Sequence, residues 1–206
     1  MTRVKICGIT NLNDARLAIA GGAHALGFVF APSPRRISPD DALKIIRSIP
    51  PFVERVGVFV NEKRENVLQI AATCKLTCLQ FHGDESARYC HSFPSKVIKA
   101  FPLASALPPE LDSYRVDAIL VDASCREQRG GTGKLCNWHL ATALRDRGLP
   151  IILSGGLDPD NIEEAIKTVK PYAVDLSSGL EQSPGVKSPR KMAAFFEAIR
   201  RTYDFI

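Results

Sequence analysis

A thiol and a carboxylate each end a short apolar run of this 206-residue chain. Cys7 ends the run Arg3–Cys7, and Asp122 ends the run Ile119–Asp122. Both runs have the length and composition of a β-strand, so both groups stand where a predicted strand gives way to a loop. In a parallel α/β sheet or barrel, the carboxyl ends of the strands are where ligands meet the protein. A thiol and a carboxyl group that face each other there are suited to paired acid–base chemistry.

The first run also indicates what surrounds the thiol. Val4 and Ile6 alternate with Lys5 and Cys7, which predicts one apolar face and one reactive face. Most cysteines inside cells are inert core residues, so position is the main argument for Cys7. Lys5 lies on the same face, where its ammonium group would favour the thiolate. Lys5 could equally pair with a carboxylate inside a barrel, and the sequence leaves both alternatives open.

The other predicted strand ends are also polar. His82 could hold a substrate carboxylate or hydroxyl, or it could cap its own loop; the basic pair at residues 35–36 could bind an anion or lie in solvent. Two Gly/Ser loops follow the last two predicted strands, and in barrels these loops often bind phosphate. The candidates beside Cys7 and Asp122 are therefore Arg35, Gln80, His82 and Asp175 for substrate, and Gly155, Gly156, Ser177 and Ser178 for phosphate.

Eight predicted strands position these groups, with helical patterns between them. Their starts lie roughly 20 to 33 residues apart, a spacing typical of βα units. We therefore predict one α/β domain over residues 1–206, a (β/α)8 or TIM barrel. An open doubly wound sheet usually needs fewer strands, and no G-x-G-x-x-G follows the first strand. The predicted strands are Arg3–Cys7, Ala25–Phe30, Arg55–Val60, Thr77–Phe81, Lys96–Ala100, Asp117–Asp122, Pro150–Ser154 and Tyr172–Leu176.

Capping patterns predict where several helices begin. Ser38-Pro39, Asp158-Pro159 and Ser188-Pro189 each pair an N-cap residue with a proline at the first helical position. The segment 102–115 contains three prolines, so the fifth helix is predicted to be short or irregular. The glycine-rich stretch 130–133 follows Asp122 and is typical of an active-site loop.

Composition excludes several other classes of protein. The net charge of +5 is dispersed and has little aromatic interleaving, which argues against nucleic acid as a partner. No run of about 18 apolar residues predicts a membrane span, and no apolar signal region precedes the first strand, so we expect a cytoplasmic protein. The six scattered cysteines are interpreted as reduced thiols, and none is spaced for a zinc site. No long apolar stripe requires a partner, so we expect a monomer.

With these residues in place, the chain resembles the phosphoribosylanthranilate isomerase family over essentially its full length. The first and last of the matching motifs are specific, whereas Gly-Gly-Thr-Gly alone would not be. The motifs are Val4–Thr10, Gly27–Phe30, Ser33–Arg35, Val56–Asn61, Leu79–Gly83, Val121–Asp122, Gly130–Gly133, Leu153–Leu157 and Val174–Glu181.

The resemblance implies an Amadori rearrangement that needs no metal or cofactor. N-(5-phosphoribosyl)anthranilate becomes 1-(2-carboxyphenylamino)-1-deoxyribulose 5-phosphate, a step of tryptophan biosynthesis. Asp122 matches the general acid that protonates the ribose ring oxygen, and Cys7 matches the general base that takes the C2′ proton. A thiolate of near-neutral pKa would suit that step. By the same resemblance, Arg35 and His82 line the substrate site, Asp175 lies near the sugar hydroxyls, and the two Gly/Ser loops cradle the phosphate.

Two alternatives come from other functions. Another phosphate-binding barrel, such as an indole-glycerol-phosphate synthase relative, would call for a lysine acid and a glutamate at the strand ends. A non-catalytic sugar-phosphate-binding barrel would keep the phosphate loops but would not need both Cys7 and Asp122. The presence of both residues favours the isomerase.

Overall fold

Eight parallel strands close into a barrel in which each strand pairs with the next and β8 pairs with β1. The structure is a computed structural model that describes residues 1–91, 93–102, 109–122 and 138–203. The closed sheet confirms the predicted barrel, and all eight predicted strands lie within two residues of the observed bounds. The strands are β1 (Arg3–Cys7), β2 (Ala25–Val29), β3 (Glu54–Phe59), β4 (Cys78–Phe81), β5 (Lys96–Pro102), β6 (Ala118–Asp122), β7 (Ile151–Ser154) and β8 (Ala173–Leu176).

The alternation in β1 separates an outer apolar layer from a polar interior. Val4 and Ile6 are buried in the large core between the strands and the helices. Lys5 and Cys7, which point the other way, are also buried and lie inside the barrel. A second core fills the rest of the interior with small and branched side chains, among them Val56, Ile98, Leu120 and Ile152. The predicted separation of Val4 and Ile6 from Lys5 and Cys7 is confirmed.

The helices pack around the strands and begin largely where the capping patterns place them. The Ser38 and Ser188 side chains accept hydrogen bonds from backbone N–H groups in the first turns of α2 and α7. The sixth helix begins later than predicted, because Asp158 accepts from the N–H groups of Asp160 and Asn161 in a turn that precedes it. The helices are α1 (Leu12–Gly21), α2 (Pro39–Ile46), α3 (Arg64–Thr73), α4 (Ala87–Cys90), α5 (Trp138–Arg145), α6 (Ile162–Val169) and α7 (Pro189–Arg201).

The connection from β5 to β6 is the irregular one. In its described part, residues 109–117, the only helical turn is the 3-10 turn Leu111–Ser113. Leu111 is buried, and the Tyr114 ring packs edge-on against Phe101 at 5.1 Å, so this short turn covers its side of the barrel. The prediction of a short or irregular fifth helix is confirmed.

A small hairpin after β8 was not predicted. A 3-10 turn, Ser178–Leu180, leads into β9 (Glu181–Ser183), which pairs antiparallel with β10 (Val186–Lys187) before α7 begins. The Thr10 hydroxyl donates to the carbonyl of Gly185 in the hairpin turn, and the Asp14 carboxylate accepts from the Lys187 N–H. The hairpin is thereby attached to the loop after β1 and to the start of α1.

The described cysteines are free thiols, as expected. Cys7, Cys74, Cys78 and Cys90 are all buried. No group of three or more potential metal ligands occurs among the described residues. The helices in the described ranges are all too short or too polar to cross a membrane. Cys125, Cys136 and the predicted glycine-rich loop at 130–133 lie outside the described residues.

Candidate active site

One pocket of about 360 Å³ opens at the carboxyl end of the barrel, and every predicted site residue lines it. A volume of this size suits a small-molecule ligand. The thiol of β1, the carboxylate of β6 and the two Gly/Ser loops after β7 and β8 share this pocket. The predicted residues that line it are Cys7, Arg35, Gln80, His82, Asp122, Gly155, Gly156, Asp175, Ser177 and Ser178. Their individual roles remain predictions.

The thiol lies beside a buried ion pair. Lys5 Nζ is 2.9 Å from Asp175 Oδ1 in the barrel interior, and β1 and β8 bring the two residues into register. Gly27 of the neighbouring strand leaves room for this group, because a Cβ there would lie 2.8 Å from the Cys7 sulfur and 3.1 Å from Lys5 Nζ. Of the two alternatives for Lys5, the structure therefore shows the ion pair inside the barrel, with the thiol next to it.

The pKa of Cys7 is raised rather than near neutral. Burial in the barrel disfavours the charged thiolate and is the largest cause, while the ammonium of Lys5 acts in the opposite direction. The expectation of a near-neutral pKa for Cys7 is therefore wrong. A thiolate of higher pKa is a stronger base but a smaller fraction of the population at neutral pH.

His82 connects β4 to the carboxylate of β6. Its Nδ1 lies 3.0 Å from the amide nitrogen of Gln80, and its Nε2 lies 4.0 Å from Asp122 Oδ2. Burial lowers the pKa of His82, although Asp122 opposes this, so the ring is neutral near pH 7. With the Gln80 amide donating to Nδ1, the ring proton is on Nε2 and faces Asp122. His82 thus extends from the end of β4 toward the carboxylate at the end of β6.

Arg35 is anchored rather than solvated. Its Nε and Nη2 donate to the two carboxylate oxygens of Glu181 at 2.8 and 2.7 Å, in a bidentate pair. Glu181 is buried, and the guanidinium keeps the pKa of that carboxylate low even though burial acts to raise it. This pairing leaves a cation fixed at the rim of the pocket, where an anionic ligand can meet it.

The two Gly/Ser loops form the other side of the pocket. Gly155 and Gly156 both have positive φ angles, of 90° and 67°, which favour glycine at these positions. The Asn161 side chain donates to the carbonyl of Gly156 at 2.8 Å and fixes this turn. The Ser177 hydroxyl is buried and has no hydrogen-bond partner among the described residues. The same is true of the side-chain oxygen of Gln80. Buried polar atoms of this kind are usually satisfied by a ligand or water.

Two buried ion pairs around the pocket were not identified as site residues from the sequence. Lys187 pairs with Glu181 at 3.0 Å below the rim, and Lys99 pairs with Glu85 at 3.1 Å beneath the loop that carries His82. Both lysines are essentially inaccessible to solvent. The available signal for Lys99 was a charged residue at an otherwise apolar position of a predicted strand, whereas nothing local distinguishes Lys187.

Comparison with known proteins identifies the family. The model of the family described as N-(5'phosphoribosyl)anthranilate (PRA) isomerase matches residues 4–198. The chain belongs to this isomerase family. The N-(5'-phosphoribosyl)anthranilate isomerase of Moorella thermoacetica is 48% identical over 99% of this chain and 92% of its own length. That of Desulforudis audaxviator is 50% identical over 97% of this chain and 98% of its own length.

Solved structures of the same family have the same fold. The phosphoribosyl anthranilate isomerase of Thermotoga maritima is 43% identical, with a TM-score of 0.87 over 98% of this chain and 100% of that one. A second structure, at 40% identity and a TM-score of 0.84 over 98% of this chain and 100% of that one, is a phosphoribosyl anthranilate isomerase in complex with reduced 1-(o-carboxyphenylamino)-1-deoxyribulose 5-phosphate. The family predicted from the motifs is confirmed.

Proposed function

We propose that this chain isomerises N-(5'-phosphoribosyl)anthranilate to 1-(2-carboxyphenylamino)-1-deoxyribulose 5-phosphate, as in tryptophan biosynthesis. The main observation is that a thiol, a carboxylate and the two Gly/Ser loops after β7 and β8 line one pocket at the carboxyl end of the barrel. The family match over residues 4–198 and the relative with a bound reduced product support the same reaction.

In the first chemical step, we assign Asp122 as the general acid. Its carboxylic acid gives a proton to the ribose ring oxygen, the bond from that oxygen to C1′ breaks, and the nitrogen lone pair forms a Schiff base. Asp122 is about one-third exposed, at the end of β6 and on the pocket wall, which gives it access to a bound sugar.

In the second step, we assign Cys7 as the general base. The thiolate takes the C2′ proton, and the electrons of the C–H bond move toward the iminium to give an enolamine. The enolamine then tautomerises to the ketone. Lys5 beside the thiol offsets part of the cost of the buried sulfur charge. A raised pKa makes the Cys7 thiolate a stronger base toward a carbon-bound proton.

Two ends of the substrate are assigned to two ends of the pocket. The phosphate lies against the backbone of Gly155 and Gly156 and the hydroxyls of Ser177 and Ser178. The anthranilate carboxylate lies toward the cation of Arg35. Gln80, His82 and Asp175 line the intervening wall and contact the sugar hydroxyls. This arrangement holds the ribose between the acid and the base.

Single substitutions test the proposed roles. Cys7→Ala and Asp122→Asn are each expected to lower kcat by about 10²–10⁴-fold, with a smaller change in KM. The loss of phosphoribosylanthranilate fluorescence measures turnover, and the same two variants in a tryptophan auxotroph that lacks this step measure rescue of growth. Wild-type turnover by Cys7→Ala would exclude the base assignment.

Measurements on the wild-type protein distinguish the isomerase from the alternative of a non-catalytic sugar-phosphate-binding barrel. Calorimetric binding of a product analogue without turnover of phosphoribosylanthranilate would favour that alternative. The presence of both Cys7 and Asp122 in the pocket favours catalysis.

We further propose that residues 1–206 form one domain that acts in the cytoplasm as a monomer, without nucleic-acid or membrane partners. Every candidate site residue comes from the one chain, so a single copy is sufficient to build the pocket. One Thermotoga maritima relative is described as dimeric. Sedimentation of this protein together with its activity at high dilution tests whether the monomer is the active form.

A further inference from the structure

The hairpin after β8 carries a cation into contact with the two strand ends that form the pocket. Lys187 Nζ donates to the carbonyl of Cys7 at 2.6 Å and to the carbonyl of Ser177 at 3.2 Å. It also donates to Glu181 Oε1 at 3.0 Å. The side chain of Lys187 has no exposed surface, so these contacts satisfy all three of its protons away from water.

The partner carboxylate extends this contact to the rim. Glu181 Oε1 accepts from both Lys187 and Arg35, and its second oxygen accepts from Arg35 alone. One buried carboxylate therefore links the cation below the thiol to the cation proposed to meet the substrate. The Glu181 backbone is fixed as well, because the Lys191 ammonium donates to its carbonyl.

We propose that the buried Lys187–Glu181 pair is a positioning device that holds the Cys7 thiol in register with the phosphate loop. The N–H groups of Gly8 and Ile9 both donate to the carbonyl of Gly27, which fixes the chain just after the thiol. Lys187 fixes the Cys7 carbonyl itself, one bond from the carbon that carries the side chain. With both groups held, the backbone that carries the Cys7 side chain is fixed relative to the pocket.

Packing of the hairpin alone does not require this arrangement. A buried ion pair is costly to desolvate and is often no more stabilising than apolar side chains of similar volume. If Lys187 served only the hairpin, its contacts would lie within the hairpin. Two of its three contacts instead go to the ends of β1 and β8. The inference rests on the proposed function only in taking Cys7 as the base.

The charge of Lys187 gives a readout that a purely structural role would not change. The charged groups that act on the thiol are Lys5 from β1, Asp175 from β8, Lys187 from β10 and Arg35 from the loop after β2. The Lys187 ammonium is one of the groups that favour the thiolate, so its removal raises the pKa of Cys7.

The test measures that pKa without any isomerase substrate. Wild type, Lys187→Met and the control Lys44→Met, whose ammonium is exposed on α2, are treated with iodoacetamide over a pH series, and alkylation of the Cys7 peptide is followed by mass spectrometry. Cys78 and Cys90 interfere little, because burial raises their pKa to about 12 and about 11. We expect the midpoint for Cys7 to move upward by about 0.5 pH unit or more in Lys187→Met and to stay unchanged in the control. An unchanged midpoint in folded Lys187→Met overturns the proposal.

Turnover provides the second measurement and separates this inference from the proposed function. If wild type isomerises phosphoribosylanthranilate, we expect Lys187→Met to lower kcat by about tenfold or more and the control to retain it. If wild type does not turn over the substrate, the proposed function fails while the alkylation result still decides the role of Lys187. Should Lys187→Met not fold, Glu181→Gln replaces it, since this change keeps the size of the side chain. Wild-type kcat and KM in Glu181→Gln would then reject the positioning role.

Discussion

Replacing Gly27 by alanine places a methyl group against the Cys7 thiol. The new Cβ would lie 2.8 Å from Sγ and 3.1 Å from Lys5 Nζ, whereas ordinary contacts begin at 3.4 Å. The sulfur must therefore move by about 0.6 Å, since the backbone of β2, paired on both sides in the closed barrel, cannot easily shift. A misplacement on the order of 1 Å at a reacting group costs about 10²-fold in rate. We expect Gly27→Ala to lower kcat by about 10–100-fold with a smaller change in KM.

Gly57→Ala is the matched control for this prediction. Gly57 lies in β3, and a Cβ there would meet Leu76 at 2.4 Å and Phe59 at 2.9 Å, so it is at least as crowded. None of these three residues lines the pocket. Both variants should lose about 1–3 kcal/mol of unfolding free energy in urea, but only Gly27→Ala should lose kcat. Equal kcat values in two folded variants would refute the argument that Gly27 provides space for the thiol.

Three further measurements address the charges of the site. Because burial raises the pKa of Cys7, its alkylation at pH 7 should be slower than that of an exposed cysteine and should keep increasing above the ordinary thiol pKa; a rate that levels off at the ordinary thiol pKa would contradict this. Glu85→Ala leaves the Lys99 ammonium buried without its carboxylate and should cost about 3–5 kcal/mol in urea unfolding, whereas Asp112→Ala at an exposed ion pair should change stability little. Arg35→Lys loses the bidentate contact and should raise KM about tenfold with little change in kcat, so an unchanged KM would place the anthranilate carboxylate elsewhere.

The barrel was predictable because its signals are local. Short apolar runs at regular spacing define the strands, and the carboxyl ends of parallel strands must meet at one end of the barrel. That rule placed Cys7 and Asp122 in one pocket although 114 intervening residues separate them in the chain. Ser38 and Ser188 likewise cap helices through contacts made within a few residues.

What the sequence did not predict depends on distant contacts. The hairpin at 181–187 is held by Asp14 and Thr10, which are more than 170 positions away in the chain. The raised pKa of Cys7 follows from burial, which no local pattern reports. The start of α6 was misplaced because Asp158 makes a turn whose hydrogen bonds resemble those of a helix cap.

The ion pair between Lys5 and Asp175 spans the seam where the two ends of the barrel meet. A nascent chain released from the ribosome before residue 175 has no carboxylate to neutralise this lysine, and its cysteine is in the environment of an ordinary open peptide. The environment of the thiol is therefore complete only when β8 pairs with β1. The rate at which a thiol reagent modifies Cys7 can therefore report whether the barrel has closed.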